Sequence, residues 1–233
     1  MLIFLVSVSV TAQETTPIPK KGTIRPDIPG TFSIEIGINQ SFNKPDTAVF
    51  GLGLWGSRAF NLYYQLDKRI GKSKFSFHPG IGFGLERYKF KKAVTLIPGT
   101  GVDEGNTVFT ESTPRTKKTM VITNYLEIPL ELRFSANPDD PTRSFKVSFG
   151  AKAGYLFDAH TKVKYRVDGQ NKILKSKQNF NFTDLRYSAF LKFGIGNFQL
   201  FGQYNLVPLF KDLKGPLQTD MSMATFGISL SSF

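Results

Sequence analysis

Residues 145–158 read FKVSFGAKAGYLFD. Phe145, Val147, Phe149, Ala151, Ala153, Tyr155 and Phe157 fall on one side of this stretch, and Lys146, Ser148, Gly150, Lys152, Gly154 and Asp158 on the other. Successive side chains of a strand point to opposite faces, so this segment is a strand with one bulky apolar face and one small or charged face. The same period returns along the chain. In 75–86, Phe75, Phe77, Pro79, Ile81, Phe83 and Leu85 oppose Ser76, His78, Gly80, Gly82, Gly84 and Glu86. In 125–134, Leu126, Ile128, Leu130, Leu132 and Phe134 oppose Tyr125, Glu127, Pro129, Glu131 and Arg133. In 185–195, Leu185, Tyr187, Ala189, Leu191, Phe193 and Ile195 oppose Arg186, Ser188, Lys192 and Gly194, with Phe190 out of pattern. Shorter copies cover 32–39, 60–67, 198–206 and 224–231, which makes about eight strands.

Period two does not say which face is buried, but residue size does. An eight-stranded barrel has room inside for few side chains. A full set of Phe, Leu and Ile does not fit there, whereas glycines and a few paired charges do. The apolar face therefore points outward, and an outward apolar face requires lipid. The expected fold is all-β, a transmembrane antiparallel up-and-down barrel over residues 31–233. The connections alternate in length. About 40–56, 91–119, 159–181 and 207–220 are long, while 68–74, 136–143 and Gly196-Asn197 are short. Long loops outside and short turns in the periplasm are the bacterial arrangement, with both termini in the periplasm.

The start of the chain fits that destination. MLIFLVSVSV followed by Thr-Ala-Gln reads as a signal peptide over residues 1–12, cleaved before Gln13. Residues 13–30 hold four prolines and read as an extended periplasmic tether. The apolar run is too short for a membrane-spanning helix, which needs about 20 residues.

Composition narrows the chemistry. With no cysteine and only His78 and His160, thiolate chemistry, disulfides and a multi-histidine metal site drop out. No cofactor is expected. The net charge of +12 is spread over strands and loops without a nucleic-acid motif, so the expected partner is an anionic lipid surface and not nucleic acid. Gly80, Gly82 and Gly84 alternate in a strand with no helix after them, which is small-residue packing and not a phosphate loop.

Three segments, TNYLEIPLELRF (Thr123–Phe134), NLVPLFKD (Asn205–Asp212) and the closing TFGISLSSF, together resemble the PorT family of outer-membrane β-barrel proteins of Bacteroidota. That resemblance covers the chain from about Phe32 onward. It implies an outer-membrane barrel of such a bacterium, with a link to type nine secretion or gliding machinery and envelope or secretion proteins as partners.

The strongest residue-level feature is the charge on the inward face. Acids (Glu35, Asp67, Glu86, Glu127, Glu131) lie on the first four strands. Bases (Lys146, Lys152, Arg186, Lys192) lie on the next two, with Arg133 beside the acids and Asp158 at the end of the fifth strand. Closing the sheet brings the two sets face to face, and confined charges must pair. A salt-bridged plug is the expected outcome, and a narrow polar path for small solutes is the alternative. Enzymatic use of the barrel, on lipid or peptide, would need Ser76, His78 and Glu86, or Asp158 and His160, and neither set has a complete nucleophile arrangement. Catalysis is therefore not expected. The third long connection carries Lys162, Lys164, Arg166, Lys172, Lys175 and Lys177 against the single acid Asp168, and suits contact with lipopolysaccharide or an acidic protein.

Overall fold

The computed structural model describes residues 30–42, 51–112, 116–178, 180–218 and 220–231. The expected signal peptide and nearly all of the tether lie outside the described residues, as does the terminal Phe233. The described chain forms twelve strands: β1 (Thr31–Phe42), β2 (Arg58–Gln65), β3 (Lys68–Arg69), β4 (Phe75–Lys89), β5 (Val94–Pro98), β6 (Thr107–Glu111), β7 (Thr116–Ser135), β8 (Phe145–Val167), β9 (Gln170–Ser176), β10 (Leu185–Ile195), β11 (Phe198–Asn205) and β12 (Ser222–Ser231).

Eight of these, β1, β2, β4, β7, β8, β10, β11 and β12, pair antiparallel in a ring that closes where β12 meets β1. Full closure removes the free edges that an open sheet of this length would expose. The ring is inside-out relative to a soluble protein. Outward Ile128, Leu191 and Phe149 are 51%, 51% and 55% exposed, while inward Glu35 and Lys152 are 0% and 2% exposed. On β7 the apolar outward residues run from Leu126 to Phe134, about the nine residues a tilted strand needs to cross a bilayer's hydrocarbon.

The three short connections between ring strands lie at one end, with the two ends of the ring, Thr31 and Ser231. The four long ones lie at the other. The tightest turn is Gly196-Asn197 between β10 and β11. Gly196 has φ +60°, and a Cβ there would sit 2.2 Å from the carbonyl of Thr142 in the adjacent turn. Only glycine meets both conditions.

Two long connections are not loops. The stretch expected as a loop over 159–181 is instead a continuation of β8 to Val167, a turn at Asp168-Gly169, and β9 returning beside β8. The expected loop over 91–119 contains the β5–β6 hairpin, and β7 begins within it at Thr116. The alternation fails there because the solvent changes. Past the apolar band the outward face meets water and becomes basic (Lys118, Lys162, Lys164), while inward Val121 and Val163 are buried. A pattern sought as apolar-outward reads as noise at those positions.

Candidate functional site

Alternation along the ring strands aims four carboxylates and four cations into the lumen. Glu35 comes from β1, Glu86 from β4, Glu127, Glu131 and Arg133 from β7, Lys152 from β8, and Arg186 and Lys192 from β10. All eight are buried. Lys192 Nζ lies 2.8 Å from Glu35 Oε1 and 3.0 Å from Glu131 Oε2. Lys152 Nζ donates to Glu35 Oε2 at 2.8 Å, to Gln203 Oε1 at 2.9 Å and to the Tyr63 hydroxyl oxygen at 3.0 Å. Arg133 donates to Glu131 Oε1 through Nη2 at 2.7 Å and Nε at 3.0 Å. Nearer the long connections, Arg186 bridges Glu86 and Glu127, the latter at 2.6 Å.

Aromatic residues tie these pairs into one network. The Tyr63 hydroxyl donates to Glu127 while accepting from Lys152, so it joins the Arg186 cluster to the Glu35 cluster. The Tyr88 hydroxyl donates to Glu86, and the Arg186 guanidinium lies 3.8 Å from the Tyr125 ring centroid. Phe190, out of pattern in the sequence, faces inward with the ammonium groups of Lys152 and Lys192 at 5.1 and 4.9 Å from its ring centroid. Charges confined at low dielectric persist only with such pairing, because each isolated one costs several kcal/mol or more.

The other inward charges expected from the sequence sit elsewhere. Lys146 is buried beside the short-turn mouth, where Asp67, Arg69, Lys74, Arg133 and Ser231 line a cavity of about 310 Å³. Asp67 lies past the end of β2, its side chain 57% exposed, and faces His78 Nε2 at 3.6 Å. Asp158 is a second correction. The β7–β8 register shifts between Asn124 and Tyr125, leaving Phe157 as an extra residue on β8. A bulge of this kind reverses the parity of the residues beyond it. Asp158 therefore faces outward, where it accepts from Asn124 at 2.9 Å, lies 3.0 Å from His160 Nδ1 and pairs with Lys177.

The basic connection is divided by the same strand geometry. Lys162, Lys164 and Arg166 share the outward face of β8, and Lys175 pairs opposite Lys162. Lys172 pairs with Tyr165 on the other face, and Lys177 is engaged by Asp158.

The two catalytic candidates have incomplete geometry. Ser76 Oγ and Asp67 Oδ1 both approach Nε2 of His78, at 2.8 and 3.6 Å, so they compete for one nitrogen. A serine–histidine–acid relay needs the acid and the hydroxyl on opposite ring nitrogens. Glu86, on the same strand face, is held by Arg186 and Tyr88. Among the described residues no three His, Asp or Glu side chains gather as a metal site.

Sequence reasoning missed the second closure of the lumen. At the long-connection end, Leu52, Phe90, Leu96, Val121, Phe180, Phe182, Leu209, Phe210, Met221 and Met223 form a buried apolar cap. The Phe182 and Phe210 rings stack at 5.2 Å and 22°, and their backbones form an isolated bridge. The signal was present in the spacing of Phe180 and Phe182, at the end of the loop expected over 159–181 and just past it, and in Leu209-Phe210, inside the loop expected over 207–220.

Comparison with known proteins agrees with this architecture. Residues 12–212 match the model of the outer membrane protein beta-barrel domain, and the chain belongs to that family. No curated protein matches the sequence. Among solved structures, the chain is similar to Ail, the attachment invasion locus protein of Yersinia pestis, solved in complex with the heparin analogue sucrose octasulfate. Identity is 20% over 87% of this chain and 99% of that one, with a TM-score of 0.35. It is also similar to Neisserial surface protein A, at 11% identity over 87% and 95% of the two chains and a TM-score of 0.35. Likeness at this level adds nothing to the fold that the strand pairing already shows.

Proposed function

We propose that this outer-membrane β-barrel protein is a closed, non-enzymatic structural or accessory component of the cell envelope. Its termini would lie in the periplasm and its long connections outside the cell. The observation that carries this reading is the double closure of the lumen, by the Glu35–Lys152–Lys192–Glu131 network and by the Phe182–Phe210 cap above it. A barrel filled with paired charges and capped by packed aromatics is a rigid platform. A role in type nine secretion or gliding rests only on the resemblance of residues 123–134, 205–212 and 225–233 to the PorT family.

The second reading is a small-solute channel, favoured by the polar cavity beside Arg133 and Lys146. Mild cross-linking and affinity purification from native outer membranes separates the two. A stoichiometric envelope protein should be recovered, and liposomes carrying the purified barrel should swell in small sugars no faster than empty ones. Rapid swelling without any recovered partner would replace the accessory role with transport.

A further inference from the structure

Above the apolar band the outward wall of the barrel is basic on one side only. The registers of β2, β4, β7 and β8 place its residues in rows. Leu62, Phe83, Leu126 and Tyr155 form one apolar row, and the row above it runs from Phe60 and Leu85 to Asn124 and Asp158. The next row opens with Arg58 opposite Arg87, beside Ile122. Above it Met120 lies between Lys89 and Lys162, and then Lys118 lies opposite Lys164. These six cations therefore lie in three successive rows above the apolar band, with Phe60, Leu85 and Ile122 beneath those of β2, β4 and β7 and His160 and Asp158 beneath those of β8. Like charges directly opposite each other weaken a sheet, yet two such pairs occur here.

Local packing holds the group in place. Met120 faces outward but is only 6% exposed between its two lysines. The Lys89 stem runs against Gly56, where a Cβ would lie 2.1 Å from Lys89 Cδ, so glycine is needed for the stem to pass. None of the six makes an ion pair with a described residue. Asp158, an acid on this wall, is occupied by Lys177, His160 and Asn124. Burial, then Lys89, Arg58, Lys162 and Arg87, lower the pKa of Lys118, which fits a crowded set of cations awaiting a counter-charge.

We infer that Arg58, Arg87, Lys89, Lys118, Lys162 and Lys164 form a binding site for the phosphorylated headgroup of an outer-leaflet glycolipid, whose acyl chains lie on the apolar rows below. Continuity with the lipid-facing band selects a lipid over a soluble anion, and the uncompensated cations select phosphate. The site rests on the orientation proposed above, which puts this wall at the outer leaflet. It differs from the basic hairpin tip, since four of its six residues come from β2, β4 and β7.

Trp55, the single tryptophan of the chain, is 78% exposed and its carbonyl accepts from Arg58 Nε, so its emission reports on the site. The full-length protein is refolded in detergent and titrated with diphosphorylated lipid A. Arg87→Gln/Lys118→Gln/Lys162→Gln should weaken binding on the order of a hundredfold, about fivefold per cation. Lys68→Gln/Lys72→Gln/Lys74→Gln, which removes equal charge at the opposite end, should leave it unchanged. Dephosphorylated lipid A should bind as weakly as the first triple variant, and inorganic phosphate alone should not move the emission at matched concentration. Equal losses in both triple variants, equal binding of dephosphorylated lipid, or the full response from phosphate alone would overturn the site. If the first triple variant does not fold, Lys118→Gln alone should still lose about fivefold, and no loss there would overturn the site. Orientation is scored separately by a Cys at Gly169 in intact cells, so a wrong orientation and an absent site give different results.

Discussion

In the lower half of β7 the outward residues are Leu126, Ile128, Leu130 and Leu132, and the inward ones include Glu127, Glu131 and Arg133. In its upper half the outward residues are Lys118, Met120, Ile122 and Asn124, and the inward ones are Thr119, Val121 and Thr123. β8 makes the same exchange, from Phe149 outside and Lys152 inside to Lys162 outside and Val163 inside. One backbone thus carries two opposite polarity patterns. Where the surroundings are lipid, charge is driven into the lumen and must pair there. Where they are water, apolar side chains turn inward and the lumen becomes an ordinary hydrophobic core. The two halves should therefore fail differently when altered.

The largest effect belongs to the lower half. Arg186→Leu leaves Glu86 and Glu127 without their cation and should cost roughly 3–5 kcal/mol. Lys152→Leu should cost less, because Glu35 keeps Lys192. Urea midpoints of the two variants in detergent, read by circular dichroism, would show this order. Unchanged midpoints in both would mean a hydrated lumen whose charges need no partners.

In the upper half, Phe210→Ala removes a stacked ring from the cap and should cost about 3 kcal/mol. That loss should be local. Protease should cut 206–218 faster while the heat-dependent gel shift of the barrel persists. Global unfolding would show that cap and barrel are one cooperative unit and erase the distinction between the halves.

Tyr63→Phe breaks the link between the two charge clusters and should cost about 2 kcal/mol, since both lost hydrogen bonds involve charged groups. Thermal melts of Tyr63→Phe, Arg186→Leu and the double variant should show non-additivity. Strict additivity would separate the clusters.

The smallest effect is outside both regions. Arg69 and Asp139 pair at 3.1 Å with side chains 43% and 85% exposed, and Arg69→Ala should cost less than about 1 kcal/mol. A melt displaced as far as that of Arg186→Leu would remove burial as the reason the lumen pairs matter.

The same exchange of polarity decides how much of the molecule is legible in its sequence. The lower half was legible because Phe145–Phe157 and Leu126–Phe134 repeat bulky against small or charged residues without interruption. The lumen set of Glu35, Glu86, Glu127, Glu131, Arg133, Lys152, Arg186 and Lys192 could be read from parity alone. Their pairings could not, because Glu35 and Lys152 lie 117 residues apart and meet only when the ring closes. Asp158 was misplaced because one extra residue, Phe157, reverses parity without a mark in composition. The cap was hidden because Phe180, Phe182, Leu209 and Phe210 come from separate long connections with no period of their own.

Closure of the lumen by paired charge is the central claim, and single-channel recording tests it most directly. Wild-type protein reconstituted in planar bilayers should give no steady conductance, and Phe182→Ala/Phe210→Ala should stay silent because the Glu35–Lys152–Lys192–Glu131 network still fills the barrel. Uniform ohmic steps from the wild-type protein would contradict it and establish an open polar path through the barrel.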